Sequence, residues 1–87
     1  MTPDTEFIQR CAAAGFSSPS PGKLEIARRA LAMKSPFTAE EFCQIEEEEV
    51  SVRFSRAAAY RTLGMLERVG MIRREGDLLS VITKDSQ

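Results

Sequence analysis

Phe7, Ile8, Cys11 and Ala14 recur three to four residues apart, the spacing of one helix face. The pattern predicts a first helix starting at Thr2, with Pro3 at the first helical position, where a missing N–H is harmless. Gly15 suits a left-handed C-terminal cap, with Phe16 folding back on the last turn. The cluster Ser17-Ser18-Pro19-Ser20-Pro21-Gly22 is a turn that ends in a second cap, Ser20, with Pro21 again at the first helical position. Helix two is expected from Pro21 to Met33, with Leu24, Ala27, Ala30 and Leu31 facing a core and Arg28 and Arg29 largely off that stripe.

Helix three has the clearest start. Thr38-Ala39-Glu40-Glu41 is a capping box, in which Thr38 accepts from the Glu41 N–H and the Glu41 carboxylate accepts from the Thr38 N–H. Phe37 and Phe42 flank the cap as a hydrophobic staple, and Phe42 and Ile45 are core candidates. The end falls within Glu46 to Glu49, where acidic side chains oppose the helix dipole and favour fraying. Ser55 caps helix four and Gly70 stops it. Met71–Glu75 and Leu78–Thr83 read as strands joined by the two-residue turn Gly76-Asp77. Ile72 with Leu79 and Val81, or the alternate register, faces the core, and Lys84 to Gln87 make a frayed tail.

Four helices followed by a hairpin make a mainly α chain with a small β-hairpin. This is a winged helix-turn-helix with an extra N-terminal helix, in one domain over 1–87. Residues 1–16 form the extra helix, 20–70 the trihelical core and 71–83 the wing. At 100° per residue, Ala59, Thr62, Leu63, Leu66 and Val69 of helix four share one side. Ala57, Arg61, Gly64 and Arg68 form the opposite stripe, flanked by Tyr60 and Met65.

Charge sharpens this picture. The net charge is −1, but residues 1–52 set five cations against nine acids, a net of −4. Residues 53–75 carry six arginines against Glu67 and Glu75, a net of +4. A basic patch on an acidic body marks a candidate nucleic-acid surface, and the acidic remainder weakens non-specific binding. In a helix-turn-helix the second helix of the pair enters the major groove, which here is helix four. Small Ala57 and Gly64 allow close approach, and Arg61 and Arg68 suit phosphates or guanine edges. Arg56 opens the helix, and Arg73 and Arg74 lie on the adjacent wing strand. The bland alternatives are a solvated helix face and, for Tyr60, a boundary core residue with its hydroxyl in water.

The motifs resemble the N-terminal domain of the ferric uptake regulator family over Leu31 to Ile72, with an earlier match at Gly15-Phe16 and Lys23-Leu24. The resemblance rests on Thr38 to Phe42, on Ala57-Ala58-Ala59-Tyr60-Arg61-Thr62-Leu63, on Leu66 and on Gly70-Met71-Ile72. It implies a DNA-binding regulator in which Tyr60 touches thymine methyls or a phosphate, Arg61 a phosphate or base, and Lys23 joins the DNA-facing set. Ala58 stands where the family has Thr or Ser, and Ser17 and Ser18 where it often has a basic residue. The family's histidine-rich metal sites and dimerisation domain have no counterpart in these residues, so its usual metal-responsive repression is not expected if they are the whole chain; a domain of a longer protein or a reused fold are the alternatives.

The expected partner is double-stranded DNA, with a second copy or another protein to strengthen an interface of only about 600–1,000 Å². The acidic run and a pI of 5.5 support an alternative, a winged-helix module that binds protein rather than DNA. An enzyme is not expected. The chain has no histidine, its consecutive glutamates radiate around a helix, and neither cysteine sits beside a recognisable base. Two cysteines without histidine cannot complete a metal site, so no metal or cofactor is expected, and Cys11 and Cys43 read as buried small hydrophobes. No small-molecule substrate is implied. No apolar run approaches the ~18 residues of a membrane span, and the N-terminus lacks the features of a signal peptide, which makes a cytoplasmic location the expectation.

Overall fold

A computed structural model describes residues 3–34, 36–47 and 55–82, with the backbone alone for Pro3 and residues 45–47. Four helices precede a hairpin: α1 (Pro3–Ala13), α2 (Pro21–Leu31), α3 (Ala39–Glu47), α4 (Arg56–Arg68), β1 (Ile72–Glu75) and β2 (Leu78–Val81). The expected helix start at Thr2, the Ile45 side chain, Glu48 and Glu49, Arg53, the expected strand end at Thr83 and the tail Lys84 to Gln87 lie outside the described residues.

The caps form as their chemistry requires. The hydroxyls of Ser20 and Ser55 accept from the Lys23 and Ala58 N–H groups at 3.2 and 3.0 Å. Both arms of the capping box close: the Glu41 N–H reaches Thr38 Oγ1 at 3.0 Å, and the Thr38 N–H reaches Glu41 Oε1 at 2.9 Å. Gly15 (φ 87°) and Gly70 (φ 82°) each close a Schellman motif. The Phe16 N–H donates to the Cys11 carbonyl and the Met71 N–H to the Leu66 carbonyl, both at 2.9 Å.

The core gathers Phe7 and Cys11 from α1, Ile26, Ala27 and Ala30 from α2, and Phe42 and Cys43 from α3. Ala59, Leu63 and Leu66 come from α4, and Ile72 and Leu79 from the hairpin. Two stripes sit differently from the sequence expectation. On α1, Ile8 is exposed because the buried face is centred between Phe7 and Cys11, and Ala14 lies past the last helical residue and is exposed too. On α2 the buried stripe turns toward Ile26, which leaves Leu24 and Leu31 only half-buried, and the helix ends at Leu31 rather than Met33. The small side chains Ala27 and Ala30 suit the close packing of α2 on α4. Thr62 is buried but satisfied, because its hydroxyl donates to the Ala58 carbonyl one turn earlier at 2.9 Å.

The hairpin register pairs Ile72 with Val81, Arg73 with Ser80, Arg74 with Leu79 and Glu75 with Leu78. Leu79 and Val81 therefore share the inner face with Ile72, the first of the two registers considered. Gly76 (φ 62°) precedes Asp77, which has no positive φ, so the turn follows the II′ pattern. Phe37 adds a contact that periodicity does not reveal. It forms an isolated antiparallel bridge with Leu79, with N–H to carbonyl distances of 2.9 and 2.6 Å. Phe37 also packs beside Phe42, ring centroids 6.3 Å apart, so the expected staple forms. A helix, a one-residue strand, two helices and a hairpin follow one another in winged-helix order, with α1 as the N-terminal addition.

Gly70 is the sharpest local test. A Cβ there would combine a left-handed backbone with a 3.1 Å approach to Arg10 Nη1. Gly70→Ala is expected to cost about 1–2 kcal/mol, read as a fall in Tm of roughly 4–8 °C per kcal/mol in thermal unfolding. An unchanged Tm would contradict this account.

Candidate functional site

α4 is about 20 Å long, and its two sides differ in chemistry. Ala59, Thr62, Leu63 and Leu66 are buried, while Ala57, Tyr60, Arg61 and Arg68 are exposed and Gly64 is half-covered. The outward stripe read from the sequence therefore exists as a surface ridge. Arg61 and Arg68 lie two turns apart on it, and among the described residues neither has a hydrogen-bond or ion-pair partner.

Gly64 lies between them. A Cβ built there meets nothing within 4 Å. Packing inside the chain thus gives no reason for glycine in mid-helix, where it is about 0.8–1.0 kcal/mol worse than alanine. The space above it is open to whatever approaches the ridge.

Three other cations expected in the site, Arg56, Arg73 and Arg74, are held by carboxylates. Arg56 Nη1 donates to Glu40 Oε1 at 2.7 Å, and the Tyr60 hydroxyl donates to the same oxygen at 3.3 Å. The hydrogen bond from Arg56 holds the Glu40 carboxyl below the ordinary glutamate range. The Tyr60 phenol is pushed up, first by desolvation and then by the Glu40 charge. Arg74 Nε donates to Glu67 Oε1 at 3.0 Å, which ties the inner face of β1 to α4. Arg73, on the outer face, donates to Glu75 at 2.7 Å. Arg73 and Arg74 are adjacent in sequence and opposite in direction, as a strand requires. Lys23 sits apart: its charge acts on the buried Cys11 thiol of α1, and among the described residues no hydrogen bond or ion pair joins it to α4.

The net +4 of residues 53–75 is thus not an open patch, because Glu40, Glu67 and Glu75 are interleaved with its arginines. The Arg73–Glu75 pair was legible, since residues two apart on a strand share a face. Glu40 with Arg56 was not, since 16 residues and a helix packing separate them.

Elsewhere, a shallow hollow beside α3 is lined by Met33, Lys34, Pro36, Phe37, Glu41 and Gln44. Its carboxylate, Glu41, is already committed to the capping box. Cys11 and Cys43 are both buried, and neither is in a disulfide. Among the described residues, no group of three or more His, Cys, Asp or Glu side chains is placed to hold a metal, and no helix is long and apolar enough to cross a membrane.

Two measurements follow from this geometry. Gly64→Ala is expected to raise stability by about 0.8–1.0 kcal/mol, seen as a higher Tm; destabilisation would reveal a contact above Gly64. By NMR, the Glu40 carboxyl should titrate below ordinary glutamate and return to that range in Arg56→Ala. The sign follows from the lowered value: the small contribution of this exposed pair is present above the unfolded-state pKa and lost as pH falls through the folded one. Equal midpoints in the two proteins would rule out the pairing.

No family model matches the chain, and no curated protein matches it.

Proposed function

We propose that this chain is a DNA-binding domain of a transcriptional regulator, with α4 entering the major groove. The observation that carries the reading is the α4 ridge: Arg61 and Arg68 point outward without partners among the described residues, on either side of an open Gly64. Arginines so placed suit phosphates and guanine edges, and a bare backbone between them lets the helix sit close to the groove floor. The motif resemblance to ferric uptake regulators supports the same assignment and places Tyr60 and Arg61 in it. Lys23 belongs to the set by resemblance alone.

The role is recognition rather than catalysis, without metal, cofactor or small-molecule substrate, and it goes with a cytoplasmic location. One helix and a wing give an interface of about 600–1,000 Å², so tight binding calls for a second copy or a partner protein. A specific observation favours a second reading, a protein-binding winged helix: Arg56, Arg73 and Arg74 each already carry a glutamate. Such a mixed surface suits a partner of mixed charge.

Anisotropy titration with duplex DNA at several salt concentrations tests both readings. Arg61→Ala and Arg68→Ala are each expected to weaken binding and to reduce the slope of log K against log salt by about 0.9. Gly64→Ala should weaken binding despite its gain in stability. Unchanged binding in both arginine variants would reject the assignments, and no binding of the wild type at about 50 mM salt would favour the protein partner.

A further inference from the structure

Glu40 lies in the first turn of α3, where it is not needed for the cap: Thr38 and Glu41 satisfy each other there. Its carboxylate reaches instead to the head of α4. One oxygen, Oε1, accepts both from the Arg56 guanidinium at 2.7 Å and from the Tyr60 hydroxyl at 3.3 Å. Those are the donors that would meet the nucleic-acid backbone if α4 docks by its N-terminal turns. A carboxylate presents to a guanidinium the same kind of anionic oxygen that a phosphate does.

We infer that Glu40 is a specificity-determining residue, an internal competitor that keeps Arg56 and Tyr60 from engaging any phosphate backbone that reaches α4. The inference rests on the DNA-binding reading above. Both sides of the pair are close to half exposed, at 44% for Arg56 and 51% for Glu40. Exposed ion pairs of this kind are weak, so a well-fitted site can displace this one. The carboxylate is ionised at neutral pH, as an exposed glutamate is, and the hydrogen bond from Arg56 favours that form further. It therefore repels phosphates that do not compensate it with other contacts. Backbone-only binding loses most, since it has nothing besides charge to offer, and discrimination against mixed-sequence DNA increases.

The test compares wild type, Glu40→Gln, Glu40→Ala, Arg56→Ala and Glu40→Gln/Arg56→Ala in binding to a mixed-sequence duplex across salt concentrations. Far-ultraviolet circular dichroism checks the fold of each. Glu25→Gln is the charge control, because it changes net charge equally but removes a carboxylate that pairs with Arg28 and Arg29 of α2 rather than with Arg56. Both Glu40 variants are expected to bind several-fold tighter, with a salt slope steeper by about 0.9, the signature of one added phosphate contact. The gain should disappear in the double variant and be absent in Glu25→Gln. Glu40 variants indistinguishable from wild type overturn the inference while leaving the DNA reading intact. So does a gain that persists without Arg56 or appears equally in Glu25→Gln. Absence of duplex binding by wild type and both Glu40 variants overturns the two together.

Discussion

The chain reversal at Gly70 is the constraint on which the arrangement of this domain depends. Three elements meet at the last turn of α4. The Met71 N–H returns to the Leu66 carbonyl, the Ile82 N–H to the Met71 carbonyl, and Arg10 Nη1 from α1 donates to the Val69 carbonyl at 2.7 Å. A helix C-terminus leaves four carbonyls without intrahelical partners. Here one of them receives an arginine from a helix 59 residues away in sequence. The added N-terminal helix is thereby fastened to α4, and β1 leaves α4 in a fixed direction that lets Arg74 reach Glu67. Because α2, α3 and the hairpin pack on one side of α4, its other side is left as the ridge.

Phe37 supplies the complementary tie. Its backbone pairs with Leu79 of β2 and its ring packs beside Phe42 of α3, so the wing and the start of α3 are tied together through one residue. That matters for the site, because the residues placed by this tie include Glu40, two positions past Thr38. The position of Glu40 opposite the head of α4 follows from a backbone bridge at one end and helix packing at the other. Its reach to Arg56 is a consequence of the fold rather than of local sequence.

Features with a local cause were legible in the sequence. Ser20, Thr38 and Ser55 cap helices because a side-chain oxygen satisfies a backbone donor two or three residues on, and Gly15 and Gly70 end helices because a left-handed backbone suits glycine. The buried side of α4 was legible too, since five core positions fix its phase closely. Phase was harder on α1 and α2. Alanine, cysteine and short apolar side chains surround those helices on more than one side, so spacing alone leaves the stripe free to turn, and tertiary packing chose Ile26 over Leu24. Charge was the least legible. A count along the chain sums Arg56, Arg73 and Arg74 as cations, whereas in space each lies against a carboxylate from another turn, strand position or helix.

That difference bears on what an overall pI of 5.5 says about the ridge. At physiological ionic strength, charges farther apart than about 8 Å are largely screened from one another at the surface. The acids of α1 and α2 are already paired locally, Glu6 with Arg10, Asp4 with Arg28, and Glu25 with Arg28 and Arg29. They therefore add little field at α4. An incoming polyanion meets a short-range pattern: Arg61 and Arg68 in the middle, and arginine–glutamate pairs around them. Such a pattern attracts weakly at long range and rewards only a ligand that matches it position by position. Bulk charge argues against indiscriminate nucleic-acid binding by this domain, but it has no bearing on a selective contact made through the centre of the ridge.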